Sequence, residues 1–184
     1  MRFKADLLFS TIHIMKKAGL IALAIFVFGY AYSQSSVRKI PSVNVKTLDG
    51  RTVNTSGISN GGKPIIISFW ATWCKPCIRE LDAIADVYED WVEETGVQLI
   101  AVSIDDTRNT AKVAPFINGK GWEYKTLLDP NGDFKRALGV NMVPHTFLVN
   151  GKKEIVWQHT TYADGDEDVL YELLVKVAKG ESIK

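Results

Sequence analysis

The sequence predicts an α/β fold in which helices flank a mixed central β-sheet. Two observations lead to this class. Short apolar runs rich in β-branched residues alternate with segments of helical periodicity, and tight-turn dipeptides mark a hairpin near each end of the chain. The alternation favours parallel strands connected by helices, while each hairpin adds an antiparallel pair. A mixed sheet satisfies both patterns.

The first predicted elements are a hairpin and a buried strand. Residues 43–48 and 51–54 flank Asp49-Gly50, and this dipeptide between two strands is a strong hairpin signal. A glycine-rich loop follows. Residues 64–70 are then apolar and mostly β-branched, which predicts a short strand inside the core.

Helices and strands continue to alternate along the rest of the chain. A helix begins at or just after Cys74, because apolar residues recur at helical spacing until Gly96 ends the pattern. Asp105 and Asp106 are predicted to cap the next helix. The remaining predicted elements are a strand at 97–104, helices at about 108–118 and 133–138, a strand at 124–128, a hairpin of 146–149 with 154–158, and a closing amphipathic helix at 166–179.

The first 33 residues predict export. Residues 18–32 are uncharged and mostly apolar, they follow a short basic stretch that starts at Met15, and they end in small residues before a cut after Ser33. This is the pattern of a signal peptide, with residues 1–14 as an upstream extension. A retained membrane anchor is the alternative, although a span usually takes about 20 apolar residues.

Residues 34–184 are predicted to form one domain. Without the leader, 18 basic and 20 acidic residues remain, and none of the basic residues form a cluster or stripe. Nucleic acid is therefore not expected as a partner. In an oxidising compartment, a lone pair of cysteines stays disulfide-bonded unless another protein reduces it.

Cys74 and Cys77 are the only cysteines in the chain, and they lie where the predicted buried strand ends and a helix begins. The free amides and the positive dipole end of a helix stabilise a thiolate at that place. Pro76 is tolerated there, because the first helical turn lacks partners for its N–H groups. The pair is predicted to be a redox-active disulfide, and no other cofactor is expected.

Other uses of the pair fit the sequence less well. A structural zinc needs about four ligands, whereas the chain offers two cysteines and three histidines, one of them in the predicted leader. Covalent haem attachment needs His directly after the second cysteine, where Ile78 stands. A purely structural disulfide gains little from so short a loop. A peroxide-reducing cysteine is a minor alternative, because such a cysteine needs no vicinal partner and this chain has one.

The stretch from Phe69 to Cys77, FWATWCKPC, resembles the active-site segment of the thioredoxin superfamily. The closer resemblance is to exported TlpA/ResA-like thiol–disulfide oxidoreductases. It is supported by the N-terminal hairpin, by Glu80 three residues after the second cysteine, by a segment at 105–122 similar to the helical insert of that group, and by Met142-Val143-Pro144-His145-Thr146-Phe147, which resembles the loop whose proline is cis and faces the cysteines. The resemblance implies a thioredoxin-like fold with an N-terminal β-hairpin and a helical insert.

Roles for the residues around the cysteines follow from the helix-tip position together with this resemblance. Cys74 is expected to be exposed and to be the attacking thiol, while Cys77 resolves the mixed disulfide. Lys75 either favours the thiolate of Cys74 by its charge or is merely solvated. Trp73 is expected to flank the sulfurs and shape the partner-binding surface, whereas Trp70 packs in the core.

The proline loop is the second part of the expected site. Pro144 cannot donate a backbone hydrogen bond, and in related proteins this loop lies against the cysteines. The residue before the proline, here Val143, can pair there with a bound peptide as an added strand. The resemblance therefore implies Val143 and Pro144 as substrate-binding residues, with a cis bond between them. His145 replaces a frequent Thr and either tunes the cysteines or only packs.

Glu80 is the candidate proton carrier. Ordinary thioredoxins commonly carry a buried Asp where this chain has Ser68, which cannot accept a proton in the same way. Glu80 lies three residues beyond Cys77 on the predicted helix, so its side chain can reach the resolving thiol and take its proton. The alternative is a glutamate that only complements the helix dipole.

These residues and the resemblance predict a periplasmic or cell-envelope enzyme that reduces disulfides of exported proteins. In this family the substrates often include haem-binding cysteines during cytochrome c maturation, and electrons come from a membrane thiol-transfer protein. A thiol oxidase or isomerase is the alternative, although the Lys-Pro between the cysteines resembles the reducing members. A peptide-binding module on the same fold is a further alternative, against which the intact cysteine pair argues.

Overall fold

The computed structural model describes residues 37–183. The predicted leader and its cleavage site lie outside these residues. The described residues form a seven-stranded sheet and four α-helices, so the predicted α/β class with a mixed sheet is confirmed. Between residues 37 and 183, no helix combines the length and apolar character needed to cross a membrane.

The elements follow the predicted order. The strands are β1 (Asn44–Thr47), β2 (Thr52–Asn54), β3 (Ile65–Trp70), β4 (Gln98–Ser103), β5 (Lys125–Leu128), β6 (His145–Val149) and β7 (Ile155–Thr160). The helices are α1 (Lys75–Thr95), α2 (Val113–Lys120), α3 (Asp133–Ala137) and α4 (Asp166–Ala178), and short 3₁₀ turns occupy Thr55–Gly57 and Thr110–Lys112.

The strands lie in the order β2-β1-β5-β4-β3-β6-β7. The three central strands β5, β4 and β3 are parallel to each other. The pairs β1–β2 and β6–β7 are the two predicted hairpins, and they add antiparallel strands at the two edges. Because β3 and β4 are parallel, the carboxyl ends of both strands lie at the same end of the sheet. The turn at residues 71–74, which leads from β3 into α1 and which we call the cysteine turn, lies at that end.

Strand β3 is buried along its whole length because both faces of the sheet are covered. Ile66 and Trp70 pack with α1 and α4 on one face, whereas Ile65, Ile67 and Phe69 pack with α3 on the other. Side chains alternate along a strand, so Ser68 points to the same face as Ile66 and Trp70. This alternation directs the only polar side chain of β3 toward α1.

The helix predicted at about 108–118 begins later than expected. The chain first forms a turn, in which the Asp106 carboxylate accepts the backbone N–H groups of Arg108 and Asn109 at 3.1 Å each. The α-helix proper starts at Val113, which places Pro115 in its first turn. A start at residue 108 would place Pro115 inside the helix, where a proline removes a hydrogen bond and clashes with the preceding turn. The proline therefore sets the start of α2.

Gly151, in the turn between β6 and β7, is predicted to be essential for stability. A Cβ atom at this position would collide with the backbone of Gly62. Since the clashing atoms belong to the backbone of Gly62 and not to a flexible side chain, Gly151→Ala is expected to lower the free energy of unfolding by about 1–3 kcal/mol or more, as in other overpacked sites. Urea unfolding measures this value.

Gly119→Ala is the matched control, because Gly119 lies in α2 with open space around the position of a Cβ atom. An alanine in a helix is favoured over glycine by about 0.5–1 kcal/mol, so the control should be neutral or stabilising. Equal losses in both variants would contradict the collision at Gly151.

Candidate active site

Cys74 and Cys77 form a disulfide with an S–S distance of 2.00 Å at the beginning of α1. Cys74 is the N-cap residue of the helix, and its Sγ accepts the backbone N–H of Cys77 at 3.3 Å. Pro76 lies in the first turn, where no intrahelical hydrogen bond is lost. The predicted position of the pair at a strand-to-helix junction is therefore confirmed.

The expected exposure of Cys74 is wrong for this oxidised form. Cys74 is only 5% exposed and Cys77 is fully buried. The reason is that the disulfide holds the Cys74 sulfur against the first turn of α1. The exposed group at this end of the helix is the indole of Trp73, 64% of whose surface is accessible. Trp70 is fully buried, as predicted.

Asp105 anchors the turn that leads to Cys74, a contact that the sequence did not reveal. Its buried carboxylate accepts the backbone N–H of Thr72 at 2.9 Å and the Thr72 hydroxyl at 2.6 Å. The Ser103 hydroxyl also donates to it, at 2.8 Å. Asp105 was expected to cap a helix, but it points into the protein because β4 ends beside β3. Only the parallel pairing of these two strands could have indicated this contact.

Glu80 is buried on α1 and contacts two hydroxyl groups from neighbouring strands. Its Oε1 lies 2.6 Å from Thr146 Oγ1, and its Oε2 lies 3.1 Å from Ser68 Oγ. The two hydroxyl oxygens are themselves 3.1 Å apart. We call this arrangement the Ser68–Thr146–Glu80 triangle. Glu80 thus occupies the space that faces Ser68, the position of the buried Asp in ordinary thioredoxins.

The protonation of Glu80 decides how many hydrogen bonds the triangle can make. Three contacts need three hydrogens, but the two hydroxyl groups supply only two, so an ionised carboxylate leaves one contact without a hydrogen. A protonated carboxyl donates to Thr146, which donates to Ser68, which donates back to the second carboxyl oxygen. Burial favours the same neutral form and raises the pKa of Glu80 to about 7. The group can therefore take and release a proton near neutrality.

The proline loop lies beside the cysteine turn. The Val143-Pro144 peptide bond is cis, as the resemblance implied. Val143 packs against the apolar cluster that contains both cysteines, and the strand that follows, β6, pairs with β3. Met142, just before Val143, is 57% exposed. The loop and Trp73 therefore offer exposed apolar groups near the disulfide.

His145 packs rather than reaching the cysteines. The side chain is buried, and its ring stacks on Phe147 with the ring centres 4.4 Å apart. Burial without a compensating charge lowers the pKa of His145, which favours the neutral ring. Among the two interpretations of this residue, the structure supports packing.

The fold and the cysteine pair define a protein that forms and breaks a disulfide on a thioredoxin-like scaffold. The AhpC/TSA family matches residues 37–158, more than half of the chain, and the protein belongs to this family. The chain is 30% identical over 167 residues to thiol-disulfide oxidoreductase ResA of Oceanobacillus iheyensis. This match covers 84% of this chain and 84% of ResA.

Solved structures agree with this class. An uncharacterized thioredoxin-like protein from Porphyromonas gingivalis is 53% identical, with a TM-score of 0.69 over 76% of this chain and 92% of that chain. A putative thiol:disulfide interchange protein DsbE from Chlorobium tepidum is 25% identical, with a TM-score of 0.66 over 79% of this chain and 99% of that chain. The predicted thioredoxin-like fold and the predicted thiol–disulfide oxidoreductase activity are confirmed.

Proposed function

We propose that this protein is a cell-envelope reductase that opens disulfides of exported proteins through Cys74 and Cys77. The observation that carries the proposal is a disulfide at the N-terminus of α1, one helical turn from a buried carboxyl group. Residues three apart on a helix are neighbours, so Glu80 and Cys77 share one face of α1. A dithiol with its own proton acceptor is suited to repeated exchange.

The proposed reaction has two displacement steps. The Cys74 thiolate attacks one sulfur of the client disulfide, and the second client sulfur leaves as a thiolate. Glu80 then takes the proton from the Cys77 thiol, and the Cys77 thiolate attacks Cys74 Sγ. The Cys74–Cys77 bond forms, and the remaining client sulfur leaves. The client gains two electrons, and the protein dithiol loses two.

The exposed groups beside the disulfide support a peptide substrate. We assign substrate binding to Trp73, Val143 and Pro144. The indole of Trp73 offers an apolar surface at the helix tip, and the backbone before Pro144 can pair with an extended client segment as an added strand. Such pairing depends on main-chain groups, so it tolerates clients of different sequence.

The cellular setting is inferred from the sequence of the first 33 residues. A signal peptide supports export to the periplasm or cell envelope, where the oxidised pair needs a reductant. A membrane thiol-transfer protein would supply the electrons, and haem-binding cysteines of c-type cytochromes are candidate substrates. N-terminal sequencing of the exported protein tests the setting: a start near Gln34 supports cleavage, whereas a start upstream of Ala18 on a membrane-bound species supports an anchor.

Replacing Cys77 by serine is expected to trap client proteins on Cys74. Without the resolving thiol, the mixed disulfide formed in the first step cannot be opened from within the protein. Non-reducing electrophoresis of envelope extracts, followed by mass spectrometry of the captured bands, measures the trapping. Cys74→Ser is the matched control and should trap few clients or none. Equal trapping by both variants, or trapping through Cys77 alone, would overturn the assigned roles.

A further inference from the structure

A small cavity lies beside Glu80, between the β6–β7 hairpin and the beginning of α4. It has about 10 Å³ of space for the centre of a water molecule, close to the minimum that one water needs. A water is stable in such a space only when polar groups surround it. The polar side chains of its lining are Glu80, Thr146, His159, Tyr162, Asp166 and Glu167.

His159 connects this cavity with the protein surface. It lies directly opposite Thr146 in the antiparallel β6–β7 pair, so the two side chains are on the same face of the sheet. The His159 side chain is 39% exposed, yet its Nε2 atom is shielded from solvent and lies 3.3 Å from Asp166 Oδ2. The ring stacks on Trp157 with an interplanar angle of 8°. One imidazole therefore reaches from the cavity to the solvent.

Asp166 holds the other side of the cavity. It is the first residue of α4, and its carboxylate also accepts the backbone N–H of Ala163 at 2.7 Å. Its negative charge is close enough to Glu80 to contribute to the raised pKa of that carboxyl. Tyr162 and Glu167 satisfy each other, since the tyrosine hydroxyl donates to the carboxylate at 2.8 Å. His159 and Asp166 remain as the pair that faces both Glu80 and the surface.

We propose that the His159–Asp166 pair is the route by which the buried Glu80 carboxyl exchanges its proton with solvent. The proposal rests on the proposed function, in which Glu80 takes the Cys77 proton once in each cycle. His159 and Asp166 act through Glu80 and are positioning residues for the exchange reaction. The Glu80 carboxyl passes its proton to one water molecule in the cavity, and that water passes a proton to one imidazole nitrogen. The other imidazole nitrogen then releases a proton to bulk water.

The chemistry of the groups suits this path. A buried carboxyl that receives a proton must lose it before the next cycle, and the hydroxyls of Ser68 and Thr146 do not lead it to the surface because both are buried. Imidazole is the side chain that takes and releases protons near neutral pH.

The pH dependence of Glu80 is set by groups from every element around it. Ser68 of β3 and Thr146 of β6 are neutral hydrogen-bond partners. The titratable or charged groups around Glu80 come from several elements: Arg79 of α1, Tyr124 before β5, His159 of β7, Tyr162 after β7, and Asp166 and Glu167 of α4. The charge of Glu80 contributes to the raised pKa of Tyr124. Arg79 pairs with Asp164 at 3.1 Å on the exposed surface, so His159 is the basic side chain that lines the cavity.

The test is the steady-state reduction of insulin disulfides by the protein between pH 6 and 8, with excess dithiothreitol to re-reduce the Cys74–Cys77 pair after each cycle. Repeated turnover is needed because Glu80 must lose its proton only before the next cycle.

The variants are His159→Phe, which keeps the stacking on Trp157, and His159→Gln, which keeps a polar side chain that does not gain or lose a proton near neutral pH. Asp166→Asn keeps the oxygen that accepts the Ala163 N–H. Asp164→Asn is the matched control, because it removes the same charge two residues away and outside the cavity.

Both His159 variants are expected to slow the reaction at pH 7 by about tenfold, which is less than the roughly 10²–10⁴-fold that a direct general acid or base contributes, because His159 acts through Glu80. Added imidazole buffer should restore the rate, a response that a merely structural role would not show. Asp166→Asn should slow the reaction less, and Asp164→Asn should leave it unchanged.

Rates within twofold of the wild type in both His159 variants would overturn this route, as would slow rates that imidazole does not restore. Thermal unfolding of the oxidised variants separates a loss of fold from a loss of proton exchange. A wild-type protein that fails to reduce the insulin disulfides at all contradicts the proposed function. An active wild type with unaffected variants contradicts only the route.

Discussion

Glu80→Gln is expected to stabilise the oxidised protein by about 3 kcal/mol at pH 8, because the pKa of Glu80 rises from 4.5 to about 7 on folding and each pKa unit corresponds to about 1.4 kcal/mol. It is also expected to slow thiol–disulfide exchange. Higher stability together with slower exchange is expected when a buried ionisable group serves the reaction and destabilises the fold.

The direction of the pH effect follows from which state holds the proton. Between pH 4.5 and about 7 the folded protein keeps the Glu80 proton, whereas the unfolded chain releases it. The stabilising contribution of the neutral carboxyl is fully present below pH 4.5 and is lost as the pH rises through about 7. The free energy of unfolding of the wild type should therefore fall over this range relative to the variant.

Glutamine suits the site because it reproduces the protonated carboxyl in the Ser68–Thr146–Glu80 triangle. Its amide NH₂ can donate to Thr146, which donates to Ser68, which donates to the amide oxygen. The variant keeps all three contacts at every pH but cannot accept the proton of Cys77. The fold should remain intact, and only the proton transfer should be lost.

Urea unfolding of the oxidised protein at pH 4.5, 6 and 8 measures the stability, and single-turnover exchange measures the rate. Glu89→Gln is the matched control, since Glu89 is exposed on the same helix. If Glu80→Gln lowers stability slightly and leaves the exchange rate unaltered, Glu80 only complements the helix dipole. A pH-independent difference between the wild type and Glu80→Gln would contradict the raised pKa.

The sequence predicted those features that depend on local periodicity. The strand that ends at Trp70 and the helix that Gly96 ends are found within a few residues of their expected bounds. The position of the cysteine pair followed directly, since it lies between these two elements. Glu80 could be placed on the same face as Cys77 from helical spacing alone.

Contacts between distant parts of the chain could not be predicted in the same way. Thr146 meets Glu80 across 66 residues, and Asp105 meets Thr72 across 33. Both contacts depend on which strands pair and in which register, and a one-residue change of register moves a side chain to the opposite face. His159 is a similar case, because only its pairing with Thr146 brings it to the cavity beside Glu80.

Two expectations failed for local physical reasons. Cys74 was expected to be exposed because helix ends usually are, but its bond to Cys77 draws the sulfur into the first turn. The second case is the start of α2, which was expected soon after the two capping aspartates, although the missing N–H of Pro115 restricts this proline to the first turn. In both cases a single covalent constraint decided the structure.

The reduction potential of the Cys74–Cys77 pair is expected to lie near the value of about −270 mV known for thioredoxin rather than the value of about −120 mV for DsbA. The helix N-terminus and the N–H that Cys77 donates to Cys74 Sγ stabilise a thiolate to a moderate extent. A strong oxidant owes its potential to a much more stable thiolate in the reduced form. With Lys75 and Pro76 between the cysteines, as in the reducing members that the chain resembles, the dithiol should be a better electron donor.

Equilibration with glutathione or thioredoxin, with the two redox forms separated by alkylation, measures the potential. Since 30 mV corresponds to about 1.4 kcal/mol for two electrons, the two expectations differ by about 7 kcal/mol and are readily resolved. The double variant Lys75→Pro with Pro76→His introduces the dipeptide of strong oxidants and should shift the potential toward less negative values. A wild-type value above about −160 mV would replace the proposed reductase by an oxidase, because the dithiol could then no longer donate electrons to most protein disulfides.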